Sequence, residues 1–228
     1  MSDLAPIPDD LPPFAAFAGS SSEDAESHEY EDIERAILHE RAVASRVLGF
    51  RLGRLSAHRA LRQLGRDDGP ILSGPAREPL WPPGIAGSIS HAGTYAVALA
   101  APLDRTDGVG IDIEERRPVP ELAGQVPRSE ERDWIQAAPA EDHDELVLAL
   151  FSAKESIFKA FYPRVERFFG FEAASLVPAP GGFRARLVSD LDSKYPADRQ
   201  FHVGCRWGGD FVLSWLILPC TEVTGPTA

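Results

Sequence analysis

Two stretches of this 228-residue chain combine residue types and spacings suited to phosphate chemistry. The first is Val109-Gly110-Ile111-Asp112-Ile113-Glu114. Side chains two apart on an extended strand share a face, so Asp112 and Glu114 stand on one side while Ile111 and Ile113 fill the other. The second, Phe151-Ser152-Ala153-Lys154-Glu155-Ser156-Ile157-Phe158-Lys159, belongs on a helix and adds a third carboxylate, Glu155, and two ammonium groups. Three carboxylates beside cations, with no obvious nucleophile, suit a divalent metal ion handling phosphate.

Lysine usage sharpens this reading. Lys and Arg together number 23, yet only Lys154, Lys159 and Lys194 are lysines. Two of the three fall five residues apart, where a compact, movable ammonium differs chemically from a planar guanidinium. On a helical wheel Lys154 lies inside the apolar arc of Val147, Leu150, Phe151, Phe158 and Phe161, with Glu155 at its edge and Lys159 beyond it. A lysine on a buried stripe must find an anion or lose its proton. The plainer alternative is a snorkelling Lys154 beside a surface Glu155–Lys159 pair.

A net charge of −12 argues against nucleic acid as the main ligand. Residues 35–66 nevertheless hold eight arginines (Arg35, Arg41, Arg46, Arg51, Arg54, Arg59, Arg62, Arg66) against one acid, Glu40. Most suit a solvated helix face, and two or three suit a phosphate. A hydrophobic content of 43% supports one large domain or two small lobes. No run of eighteen apolar residues and no secretion-type N-terminus are present, so a cytoplasmic location is expected. Cys205 and Cys220 lack paired metal-ligand spacing and read as reduced thiols.

The elements follow from pattern. Residues 1–28, rich in Pro, Ser and acid, read as poorly ordered, with Phe14 and Phe17 free to dock. Residues 29–108 form a first lobe. It has a helix from Glu29 to Leu48, an interruption at Gly49 and Gly53, and a second helix from about Phe50 to Leu64 with Arg51, Arg54, His58 and Arg62 as a basic stripe. A Pro-rich connector over 67–84 follows, then strands Ile85–Ser90 and Thr94–Ala101. Residues 109–222 form a second lobe. Its elements are the Asp112 strand, a polar segment 115–144 anchored by Trp134, a helix from Glu145 to Tyr162 ended by Pro163, and four strands, Phe171–Val177, Phe183–Val188, Phe201–Trp207 and Phe211–Leu218. Residues 223–228 read as a frayed tail. The order predicts an α+β fold of two lobes.

Gly110-Ile111-Asp112-Ile113-Glu114 and Phe151-Ser152-Ala153-Lys154-Glu155, with Lys159-Ala160 following, resemble the two signature motifs of the Sfp-type 4′-phosphopantetheinyl transferases. Trp81-Pro82-Pro83-Gly84, Gly87-Ser88-Ile89-Ser90-His91 and Gly53-Arg54 with Ala57, Arg59-Ala60-Leu61 resemble the enterobactin-synthetase component D branch. The likeness runs in register from about Arg46 to Phe171. It implies two similar α+β lobes related by a pseudo-twofold axis, with coenzyme A in the cleft between them. It also implies transfer of 4′-phosphopantetheine to a serine of an apo carrier protein of fatty acid, polyketide or nonribosomal peptide synthesis, releasing adenosine 3′,5′-bisphosphate.

By the same resemblance Asp112, Glu114 and Glu155 hold Mg2+, with Mn2+ as a substitute, and Asp112, Glu155 and Lys159 are catalytic. Ser90 and His91 contact the coenzyme, Arg46 and Arg54 the 3′-phosphate, and Lys154 and Lys159 the pyrophosphate. Arg51 and Arg59 are rival candidates for the phosphate, Arg77 is a further base near the coenzyme, and Trp81 reads as packing. The serine proton goes to Glu155 or to a bound water. Arg116, Arg117, Arg128 and Arg132 are expected to dock an acidic carrier. The protein is expected to be a monomer with no nucleic acid or membrane partner. Two alternatives use the same residues: a metal-dependent nucleotide phosphohydrolase and a non-catalytic coenzyme A-binding module.

Overall fold

The computed structural model describes residues 8, 10–24, 30–39, 41–67, 69–75 and 77–220. The fold is α+β, and each half lays one long helix on an antiparallel sheet. In the first half, α2 (Ala44–Gln63) covers a three-stranded sheet ordered β1 (Ala16–Ser21), β5 (Tyr95–Pro102), β4 (Ile85–Ala92). In the second, α5 (His143–Val165) crosses β6 (Thr106–Glu115) and β10 (Phe211–Pro219), the first strands of a five-stranded sheet. That sheet continues through β9 (Gln200–Gly208), β8 (Gly182–Leu187) and β7 (Ala174–Ala179). The halves share a plan but differ in strand number. The boundary expected at 108/109 falls inside β6.

Glycines set how closely the helices lie on the strands. Gly49 and Gly53 do not break the helix as expected; both sit inside continuous α2. A Cβ on Gly49 would stand 2.7 Å from the His91 ring, and one on Gly53 2.8 Å from Ile89. The helix cost of glycine, about 1 kcal/mol against alanine, is accepted for close approach to β4. On the other side, a Cβ on Gly110 would overlap the Ser156 carbonyl, and one on Gly108 the Ala160 carbonyl. There α5 rests backbone to backbone on β6.

Other expectations need correction. Within the segment read as poorly ordered, β1 pairs with β5 in register Ala16↔Ala100 to Ser21↔Tyr95. Its buried positions are Ala16, Ala18 and Ser20, too small to give a strong hydrophobic alternation. Ser20 Oγ bonds Leu52 O and Ser56 Oγ, which ties the strand to α2. The single helix expected over 29–48 is divided among the described residues: α1 (Glu31–Arg35) lies at its start, and its last residues, from Ala44, open α2. The connector forms a two-strand ribbon, β2 (Leu72–Ser73) and β3 (Pro79–Leu80). Residues 115–144 contain α3 (Pro120–Ala123) and α4 (Ser129–Gln136). Pro163 is carried within the last turn of α5, which ends at left-handed Glu166. Residues 1–7, 9, 25–28 and the tail 223–228 lie outside the described residues. Among the described residues no helix is long and apolar enough to cross a membrane.

The basic stripe also dissolves. His58 is fully buried, with Nε2 2.8 Å from Glu34 and Nδ1 2.5 Å from Asp67. Burial opposes its protonation, but the hydrogen bonds to Glu34 and Asp67 outweigh this and raise its pKa above the ordinary value. Arg51 pairs with Glu31 and Arg62 with Asp67.

Candidate active site

The site forms where β4, β6 and α5 meet. Asp112 and Glu114 point to one side of β6, and Ile111 and Ile113 are buried on the other in a core shared with β5 and β10. Asp112 lies at the floor, 3% exposed. Its Oδ1 accepts from Ser90 Oγ at 2.8 Å and from Lys159 Nζ at 2.7 Å. Its Oδ2 is buried with no partner. Lys159 also donates to Ser90 Oγ at 3.1 Å and to Ile111 O at 3.2 Å. Because α5 seats directly on Gly110, Glu155 and Lys159 reach this floor from the helix side.

The charges are crowded. Glu114 is pushed up to about 7 by burial first, then by Asp112, with Glu155 adding to the effect. Glu155 is raised by burial and by Asp112, against the pull of Lys159. Cys205, on β9 beyond Ser214 of β10, is pushed up to about 12 by burial and by Asp112. His91 lies against Gly49, at the rim. Desolvation, and then the positive charges of Lys159 and Arg46, lower its pKa.

Among the described residues no three His, Cys, Asp or Glu side chains converge as a ready metal cage. The expected set of Asp112, Glu114 and Glu155 is gathered within electrostatic reach but does not close on one point. The residues nevertheless fit a divalent cation. Hard carboxylate oxygens are present, one buried oxygen has no partner, and the mutual repulsion is what a cation would relieve.

Lys154 requires a correction. It is 3% exposed, and its three protons go to Glu131 Oε2 at 2.6 Å, Phe171 O at 3.0 Å and Val126 O at 3.2 Å. An ammonium has three donors, so none remains for a pyrophosphate. Glu131 in turn accepts from the backbone N–H of Arg128 and Leu176. Arg54, 6% exposed, turns toward the ribbon, donating to Leu72 O and Ser73 Oγ and stacking on Phe50; its Nε is buried without an acceptor. Arg46 is exposed near His91, and Arg77 is exposed between β2 and β3 at φ 67. Trp81 covers Gly87 as packing.

The arginines expected to dock a carrier are largely engaged within the chain. Arg116 pairs with Glu145 and lies over Trp207, Arg117 pairs with Glu121, and Arg128 with Glu130, while Arg132 donates to Gly124 O. Sequence reading treated Phe158 as core. In the fold its ring meets Tyr162, Phe168 and Phe169 beside Lys159, and Phe168 is 80% exposed. The doubled aromatic at 168 and 169 after a proline was the available signal. A cavity of about 450 Å³ lies elsewhere, lined by Asp10, Phe14, Arg105, His202 and Trp215 among others. It gathers no comparable set of carboxylates and cations.

Sequence comparison gives the class to which these two lobes and their carboxylate-and-lysine cluster belong: the chain is a member of the 4′-phosphopantetheinyl transferase superfamily. The family profile so named matches residues 108–214, and that of the 4′-phosphopantetheinyl transferase N-terminal domain matches 33–101. Among individual relatives, the chain is 38% identical over 162 residues to 4′-phosphopantetheinyl transferase PptT of Mycobacterium tuberculosis, covering 69% of this chain and 70% of that one. It is 38% identical to 4′-phosphopantetheinyl transferase Svp of Streptomyces mobaraensis, covering 65% and 62%. It is 43% identical to enterobactin synthase component D of Salmonella typhimurium, covering 50% and 47%. The chain therefore spans between 47% and 70% of the length of these relatives.

Proposed function

We propose that this protein transfers 4′-phosphopantetheine from coenzyme A to a serine hydroxyl of an apo carrier protein, with a divalent cation, and releases adenosine 3′,5′-bisphosphate. The observation that carries the reading is Asp112, a buried carboxylate with one oxygen held by Ser90 and Lys159 and the other without a partner, set among Glu114 and Glu155. Asp112, Glu114 and Glu155 would hold Mg2+ or Mn2+, which when bound supplies charge neutralisation on the pyrophosphate.

The chain's own residues do the rest. Lys159, a quarter exposed, is the ammonium that stays reachable and meets phosphate charge, while buried Lys154 keeps α5 in place. Arg46 and His91 at the rim, with Arg54 and Arg77 as further candidates, suit the outer phosphate. The serine proton passes to Glu155 or to a water; the raised pKa of Glu155 favours it as a base, and cation binding weakens it.

The test is intact-mass spectrometry of an apo carrier incubated with the protein, coenzyme A and Mg2+, beside Glu155→Gln. The expected result is a gain of one phosphopantetheine, abolished by chelator and reduced at least about 100-fold in the variant. Coenzyme A consumed without carrier modification would point to a phosphohydrolase. Coenzyme A bound but left intact, with every carrier type, would point to a binding module.

A further inference from the structure

Ser88 and Ser90 stand two apart on β4 and so face the same way. Both reach β6, a strand of the other sheet that no ladder joins to β4. Ser88 Oγ accepts the Ile111 N–H at 3.0 Å, and Ser90 Oγ donates to Asp112 Oδ1 at 2.8 Å. Two hydroxyls thus do the work of the missing backbone bonds along this seam. The serines are buried, at 4% and 8% exposure, so these bonds are not traded for water.

The resemblance assigns Ser90 to the coenzyme, but the atom count does not favour that. A hydroxyl has one proton, and that of Ser90 goes to Asp112. Its oxygen receives the Lys159 ammonium at 3.1 Å. The same carboxylate oxygen takes the second bond from Lys159, which leaves Oδ2 as the oxygen without a partner. We infer that Ser90 is a positioning residue: it is the grip of the first lobe on Asp112 and fixes which carboxylate oxygen is offered to a divalent cation. The inference rests on the cation reading of Asp112, Glu114 and Glu155. It ties the seam between the lobes to cation affinity, because the ligand sits on one lobe and its restraint on the other.

The experiment titrates Mn2+ alone into the full chain by calorimetry, without coenzyme or carrier, and separately measures coenzyme A binding in chelator. The variants are Ser90→Ala, Ser90→Thr and Glu155→Gln. Hydrogen-bond partners of metal ligands typically govern affinity by about 10- to 100-fold. Ser90→Ala is therefore expected to bind Mn2+ that much more weakly while holding coenzyme A in chelator as the parent does. Ser90→Thr, which keeps the hydroxyl, should bind Mn2+ close to the parent, which separates positioning from a folding defect. Parent-like Mn2+ affinity in Ser90→Ala overturns the role of Ser90 alone, as does a loss confined to coenzyme A binding. Equal Mn2+ binding by the parent and Glu155→Gln overturns the cation reading and this inference with it.

Discussion

Lys154 and Lys159 lie five residues apart on one helix and have opposite tasks. Lys159 reaches the Asp112 floor while staying a quarter exposed, whereas Lys154 is enclosed with Glu131, which is 0% exposed. Burial lowers the Lys154 pKa, and Glu131 opposes this. A buried pair of this kind is weak as a source of stability but costly to break, at about 3–5 kcal/mol when one partner is removed. Lys154→Met should destabilise the protein by about that amount in urea titration. Glu131→Gln combined with Lys154→Met should recover part of the loss, since it removes the unpaired buried charge, while the single glutamine oxygen still accepts from one of the two N–H groups, Arg128 or Leu176, that Glu131 takes on separate oxygens. A Lys154→Met protein of unchanged stability but weakened coenzyme A affinity would return Lys154 to the phosphate site.

At the scale of elements, the contact of α5 with β6 is made by backbone. The Ser156 carbonyl occupies the space a side chain at Gly110 would need, and neither partner is a flexible side-chain tip that can turn away. Gly110→Ala should therefore cost at least about 3 kcal/mol by denaturant midpoint and reduce activity together with stability, because Glu155 and Lys159 ride on the displaced helix. On the opposite face, His58 joins α2 to Glu34 of α1 and to Asp67. Its folded pKa stands above the ordinary histidine value, so the native chain holds a proton that the unfolded chain releases. The stability from this site is complete below about pH 6.5 and is lost as pH rises through the folded pKa. Unfolding free energy measured against pH should fall over that window, and His58→Gln should flatten the fall. An equally steep profile in the variant would locate the titration elsewhere.

The whole molecule is held together by a core that neither lobe owns. Val97 and Leu99 of β5 pack with Ile111 and Ile113 of β6 and Leu213 and Trp215 of β10, with Phe14 and Phe17 of the N-terminal segment against them. Sharing of this kind couples the halves, so unfolding followed by far-ultraviolet circular dichroism and by tryptophan fluorescence should give coincident transitions. Two separated midpoints would mean that the lobes unfold independently. The N-terminal segment also contributes an edge strand and the Asp10 bond to Trp215 Nε1 at 3.1 Å. It is a structural part of the molecule, although its composition resembles a linker.

The sequence alone determined the local terms of this protein. Alternation on β6 fixed the face shared by Asp112 and Glu114, helical spacing fixed α5, and the later strands followed from their period, because each depends on neighbours a few residues apart. It also carried the family, through motifs whose residue types the chemistry requires. What it left open depended on partners distant in the chain. Gly49 and Gly53 read as breaks until β4 lay against them, and Lys154 read as a phosphate ligand until Glu131, 23 positions away, accepted its hydrogen bond. Ser90 faced the coenzyme or Asp112 according to how two sheets met. The tertiary structure decided these points because the free energy of a buried donor or acceptor is set by whichever group folding brings opposite it, and local pattern carries no record of that group.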